Sequence, residues 1–162
     1  MDLNEILTKK TGKGPFIING LKELAGSNEV VGAKGLIAQS YNIKQIFAGI
    51  STHMPSGGVL GILECVTGAE DAWLNSLVSA VSPSHIRFCR PEEIIAAAAE
   101  YFTLDTYMSD SCKHTFNNEI NESAREQIAS LPVSIREAVN PRVEENSLSL
   151  RIKEGLFIFK HL

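Results

Sequence analysis

Four residues carry chemistry suited to holding an anion. Thr67, Gly68 and Arg90 stand at two breaks in apolar runs, and His53 stands in the glycine-rich connection His53-Met54-Pro55-Ser56-Gly57-Gly58. A threonine hydroxyl donates a hydrogen bond, a glycine lets a ligand approach the backbone, and a guanidinium forks onto phosphate or carboxylate. The breaks Val66-Thr67-Gly68 and Cys89-Arg90-Pro91 each precede a helical pattern, so each offers unpaired amides at a helix start. Together they describe an anion pocket. A plainer role fits the same residues: Thr67 caps a helix, Gly68 serves the turn, and Arg90 pairs with Glu92 or Glu93.

Histidine and cysteine offer a second chemistry, nucleophilic or metal-binding, with Cys65, Cys89, Cys112, His85 and His114 as members beside His53. Cys112-Lys113-His114 is the tightest grouping, and a neighbouring lysine favours a thiolate. The spacing matches no zinc or protease signature. Cys65 and Cys89 lie in apolar runs, where cysteine acts as a small hydrophobe. Three cysteines, odd in number and far apart, argue for reduced thiols rather than a disulfide framework. Thr11-Gly12-Lys13-Gly14 lacks the spacing of a phosphate loop and reads as a turn. The adjacent acids Glu92-Glu93 and Glu144-Glu145 do not project together as a catalytic carboxylate pair would. No metal or cofactor is therefore expected.

The elements that must position these residues follow from periodicity. Asp2 caps a first helix carrying Leu3, Ile6 and Leu7, and residues 11–15 break it. Phe16, Ile17, Gly20, Leu21 and Leu24 share a helical stripe that predicts a second helix, stopping at Gly26. From Glu29 to Ile50, either short strands or a strand followed by a helix fits. Residues 59–66 form a nearly continuous apolar run of strand length, the pattern of a strand buried on both faces. A helix over residues 69–81, with Glu70 and Asp71 in its first turn, ends at Pro83. Residues 85–89 are a short strand candidate, and Pro91 opens the next helix. The order strand, helix, strand predicts a parallel βαβ unit in the middle third.

Residues 103–121 are polar and read as a surface excursion. Two helices follow, one from Glu122 to Ser130 and one opened by Pro132, and Asn140-Pro141 closes them. The C-terminus reads as a hairpin, with Leu148, Leu150 and Ile152 alternating with polar residues, a turn at Glu154-Gly155, and an apolar return over residues 156–159. That last strand is apolar on both faces, so it belongs inside a sheet or against a partner.

These patterns sit in a chain of 162 residues, long enough for one domain with a substantial core. A hydrophobic share of 44%, a charged share of 21% and a net charge of −4 with scattered basic residues exclude disorder and show no nucleic-acid footprint. No apolar stretch approaches the roughly 18 residues of a membrane span, and residues 1–10 lack the core of a secretory signal, so a cytoplasmic location is expected.

The reading is a single α+β domain over residues 1–162, with a mixed sheet containing a βαβ unit and a C-terminal β-hairpin; a three-layer α/β arrangement is the alternative. Since no set of nucleophile, base and orienting group is evident, the expected function is a non-catalytic cytosolic module that binds a small anionic ligand or a protein partner through Thr67, Gly68, Arg90 and His53. The alternative is a small cytosolic enzyme acting on a phosphorylated or carboxylated metabolite. The apolar C-terminal strand adds a possible homodimer.

Overall fold

The computed structural model describes residues 1–68 and 72–162. Helix α1 (Leu3–Thr11) starts where Asp2 accepts the Glu5 amide at 3.1 Å and stops at Gly12 in the left-handed region. Pro15 and Gly20 then bracket a strand, β1 (Phe16–Ile18), and a 3₁₀ turn over Leu21–Glu23, where the stripe predicted a helix. Three successive bulky residues gain more from pairing with a neighbouring strand than a helix broken at Gly20 could return. Strand β2 (Val30–Lys34) and helix α2 (Ile43–Ser51) resolve the ambiguous stretch as strand then helix.

Strand β3 (Val59–Cys65) forms where the continuous apolar run lies. Helix α3 (Ala72–Val81) follows, and the earlier part of the predicted helix, including Glu70 and Asp71, lies outside the described residues. Helix α4 (Pro91–Ala98) begins with proline at its first position. Then come β4 (Phe102–Phe116), α5 (Glu122–Ala129), α6 (Val133–Val139), β5 (Arg142–Glu144) and β6 (Ser147–His161).

Among the described residues the sheet has six strands, in the order β1-β2-β3-β6-β4, with β5 also paired to β6. Strands β1, β2 and β3 are parallel, while β6 runs antiparallel to both its neighbours. The apolar C-terminal segment thus lies inside the sheet. The expected βαβ unit, hairpin and surface excursion are corrected. The βαβ unit is β2-α2-β3, because residues 85–89 contribute one parallel bridge, Val66↔Cys89, and no strand. The place beside β3 is taken by β6, which has buried residues on both faces.

The C-terminal hairpin is one continuous strand of fifteen residues. Glu154-Gly155 is not a turn: Gly155 pairs with Glu64 on one side and Ser109 on the other. A Cβ there would meet Phe157, Val66 and Tyr107 at 3.1–3.2 Å, so the glycine serves close packing. The predicted surface excursion is β4, whose polar residues face solvent along the outer strand of the sheet.

Both sheet faces are covered. On one, Leu60, Ile62, Phe157 and Phe159 pack with Phe47 of α2 and Ile94 of α4. On the other, α1 lies over Leu63, Leu156 and Ile158, while α3, α5 and α6 cover Leu148, Leu150 and Ile152. Helices therefore flank the sheet on both sides, the three-layer arrangement rather than the α+β one. Among the described residues, no helix is long and apolar enough to cross a membrane.

Candidate functional site at the carboxyl edge of the parallel strands

Open parallel sheets bind ligands beyond the carboxyl ends of their strands. At that edge β1 and β2 lead into 3₁₀ turns, Leu21–Glu23 and Ile37–Gln39, and β3 runs on through Val66 to Thr67. The turn after β2 is tight: Gly35 adopts φ +69° and its amide bonds the Leu63 carbonyl at 3.2 Å.

Glu64 holds this corner together. It is 3% exposed, and its carboxylate accepts the Ile37 amide at 2.7 Å. Burial pushes its pKa up to about 7, while the Ile37, Ala38 and Leu36 amides pull against that shift and nearby Glu154 adds to it. The acid therefore titrates near neutrality. The signal available in the sequence was an isolated glutamate inside the apolar run 59–66; reading that run as core alone passed over it.

A second layer of bonds ties residues 85–89 to the same corner. The Ala38 carbonyl accepts the Ile86 and Arg87 amides at 2.8 and 3.2 Å. Asn75 of α3 clamps Phe88, receiving its amide at 2.6 Å and donating to its carbonyl at 3.2 Å. The amide oxygen of Asn75 also lies 2.9 Å from His85 Nε2, so that nitrogen carries the proton. Burial lowers the His85 pKa.

Thr67 is buried, its amide bonded to the Cys89 carbonyl at 3.1 Å and its hydroxyl donating weakly to the Phe88 carbonyl at 3.5 Å. Gly68 follows it and is exposed. Arg90 is the N-cap of α4, and its own amide donates to Glu93 at 2.8 Å. That amide bond is the chief reason the Glu93 carboxyl lies below its ordinary range. The Arg90 guanidinium is 3.7 Å from both Glu92 and Glu93. The anion at this helix start is thus the protein's own glutamate.

Thr67, Gly68 and Arg90 share one edge. His53 does not: its Nδ1 lies 2.9 Å from the Gly26 carbonyl, and its own carbonyl accepts the Asn28 amide, beside the amino ends of β2 and β3. That opposite edge carries a cleft of about 510 Å³ whose lining includes Lys10, Lys13, Glu29 and Gly58. There Lys13 is paired with Glu29, and Lys10 with Asp105 at 2.6 Å.

The thiols are poor nucleophiles. Cys65 lies 3.8 Å from His114 Nδ1, yet burial pushes its pKa up to about 12, and burial raises Cys89 and Cys112 too. Strand β6 lies between Cys65, opposite Glu154, and Cys112, opposite Ile152, so they stand further apart than the roughly 9–10 Å of two strand spacings, which no disulfide spans. Among the described residues, no three His, Cys, Asp or Glu side chains are grouped to hold a metal.

No family model matches the sequence, and no curated protein does. Solved structures do match in fold. A candidate methyltransferase from Bacillus halodurans superposes with a TM-score of 0.69 at 18% identity, over 83% of this chain and 64% of that protein. The YcgJ protein of Bacillus subtilis gives 0.69 at 12% identity, over 96% and 75%. A candidate sarcosine dimethylglycine methyltransferase from Galdieria sulphuraria gives 0.51 at 10% identity, over 96% and 63%. This chain thus spans less than two thirds of the Bacillus halodurans protein.

The expectation of a non-catalytic binding module is corrected, because solved structures that share this fold include candidate methyltransferases, which are enzymes. The sequence concealed it because identity is low and no motif announces the fold. With its six-stranded mixed sheet and helices on both faces, the chain takes a methyltransferase-like Rossmann fold.

Proposed function

We propose that this chain supplies the acceptor-side part of a small cytoplasmic methyltransferase. The observation that carries the reading is the superposition on the Bacillus halodurans protein with a TM-score of 0.69. Glu64, by fixing the turn after β2, and Asn75, by fixing residues 85–89, shape the edge on which a small acceptor would rest.

Methyltransferases of this kind draw the methyl group from S-adenosylmethionine. Nucleoside cofactors on such sheets sit at a glycine-rich turn that opens a helix. The described residues do not fit that requirement. The chain contains no Gly-x-Gly-x-x-Gly, β1 and β2 lead into three-residue turns, and the amides of Leu36, Ile37 and Ala38 face the Glu64 carboxylate. In this reading the donor cradle comes from polypeptide other than these residues, and no step of methyl transfer is assigned to them.

The test is a methyl-transfer assay on material purified from the native cells through a tag on this chain, with tritiated S-adenosylmethionine and a panel of small amines, phenols and carboxylic acids. The expected result is label in a small product from the native preparation and none from the recombinant chain alone. Native material that transfers no label to any acceptor class contradicts the proposal.

A further inference from the structure

Helices α3, α5 and α6 frame a cleft of about 370 Å³, within the roughly 300–1,000 Å³ of small-molecule sites. Trp73 and Leu77 lie on the α3 side and Leu131, Pro132 and Ile135 on the other, with Ser76, Gln127 and Ser130 the polar residues of a mainly apolar lining. Among the described residues, no ionisable side chain lines it. A second observation concerns the same wall: Trp73 Nε1 is buried and has no hydrogen-bond partner among the described residues. A buried donor without an acceptor is costly, so it is a place where an incoming oxygen brings a gain.

We propose that this cleft binds a neutral small molecule with an apolar body and one acceptor oxygen, a ketone or ester, whose oxygen takes the Trp73 N–H. A mainly apolar wall desolvates such a body favourably, whereas a carboxylate or ammonium would find no counter-charge among the described residues there. The indole is only half-buried and forms part of the wall, and the proposal includes a turn of the ring that carries its enclosed N–H to the ligand. The site goes beyond the methyl-transfer reading and does not depend on it.

The chain has one tryptophan, so nitrogen-15-labelled protein shows a single indole N–H resonance. Acetophenone is titrated into the full chain, and in parallel ethylbenzene, which has nearly the same shape and no oxygen. The expected result is saturable binding of both, acetophenone roughly fivefold tighter, with the indole proton moving downfield only for the ketone. In Trp73→Phe, which keeps an aromatic wall, the Ile135 and Leu131 methyl resonances should report equal affinity for the two probes. Benzoate should bind more weakly than either. Equal affinities in the wild-type chain, or no saturable shift with acetophenone, overturn the proposal, and this comparison decides even if the variant fails to fold. The readout is binding without a methyl donor, so failure of methyl transfer leaves it untouched.

Discussion

Glu64 joins two requirements that pull in opposite directions. The turn after β2 presents amides that stabilise a carboxylate, and the sheet around it removes the water a carboxylate needs. Burial wins, and the folded protein binds this proton more tightly than the unfolded chain, whose value is 4.5. The associated stability is fully present below pH 4.5 and is lost as the pH rises through about 7, a difference on the order of 3 kcal/mol. Glu64→Gln retains an acceptor for the Ile37 amide and has no charge to bury. Urea unfolding at pH 5 and pH 8 should therefore show a much smaller pH dependence in the variant, which should be the more stable of the two proteins at pH 8. Equal pH slopes would contradict this assignment. The thiols give a second residue-scale test: with Cys65 and Cys89 buried and all three thiols raised, native protein should react slowly at pH 7.5 with a thiol reagent, at Cys112 alone, and at all three positions in urea. Rapid modification of Cys65 in the folded state would refute it.

At the scale of elements, two glycines decide how closely layers approach. A Cβ on Gly61 would stand 2.8–3.0 Å from the side chains of Leu7 and Leu3, so α1 lies directly on the β3 backbone. Gly61→Ala should cost about 1–3 kcal/mol by overpacking, lower the melting midpoint by several degrees, and speed proteolysis after Lys9, Lys10 or Lys13. An unchanged midpoint with unchanged cleavage would show that α1 is not seated there. Gly155→Ala, by contrast, should cost about 1–3 kcal/mol through Phe157, Val66 and Tyr107. Circular dichroism melts measure that loss. A gain in stability would contradict the close packing.

The same elements show why some of the fold was legible in the sequence. Strand β3 was plain because a strand covered on both faces writes a continuous apolar run, and α4 because Pro91, Glu92 and Glu93 mark a helix start. Strand β4 was hidden, since an outer strand whose partner lies at one side can be polar over most of its length. Gly155 resembles a turn residue locally, and only its two neighbouring strands reveal the close approach it permits. Thr67 and Arg90 were legible as residues at one edge, whereas the remoteness of His53 depends on strand order, which is a long-range property. Glu64 carried a signal, one acid in a buried run, but its partner amides lie 27 residues away in the chain.

For the whole molecule, the parallel half of the sheet consists of three strands and ends on β1, only three residues long, with Phe16 and Ile17 exposed. The resemblance to the two Bacillus proteins extends over 83% and 96% of this chain but over 64% and 75% of theirs. Because no glycine-rich turn opens a helix among the described residues, the proposed function divides the labour of methyl transfer into an acceptor surface here and a donor cradle elsewhere. The most direct test is isothermal titration of S-adenosylhomocysteine, the spent form of the donor, into the isolated chain. The proposed division predicts no saturable heat up to millimolar ligand; stoichiometric binding with a micromolar dissociation constant would contradict it.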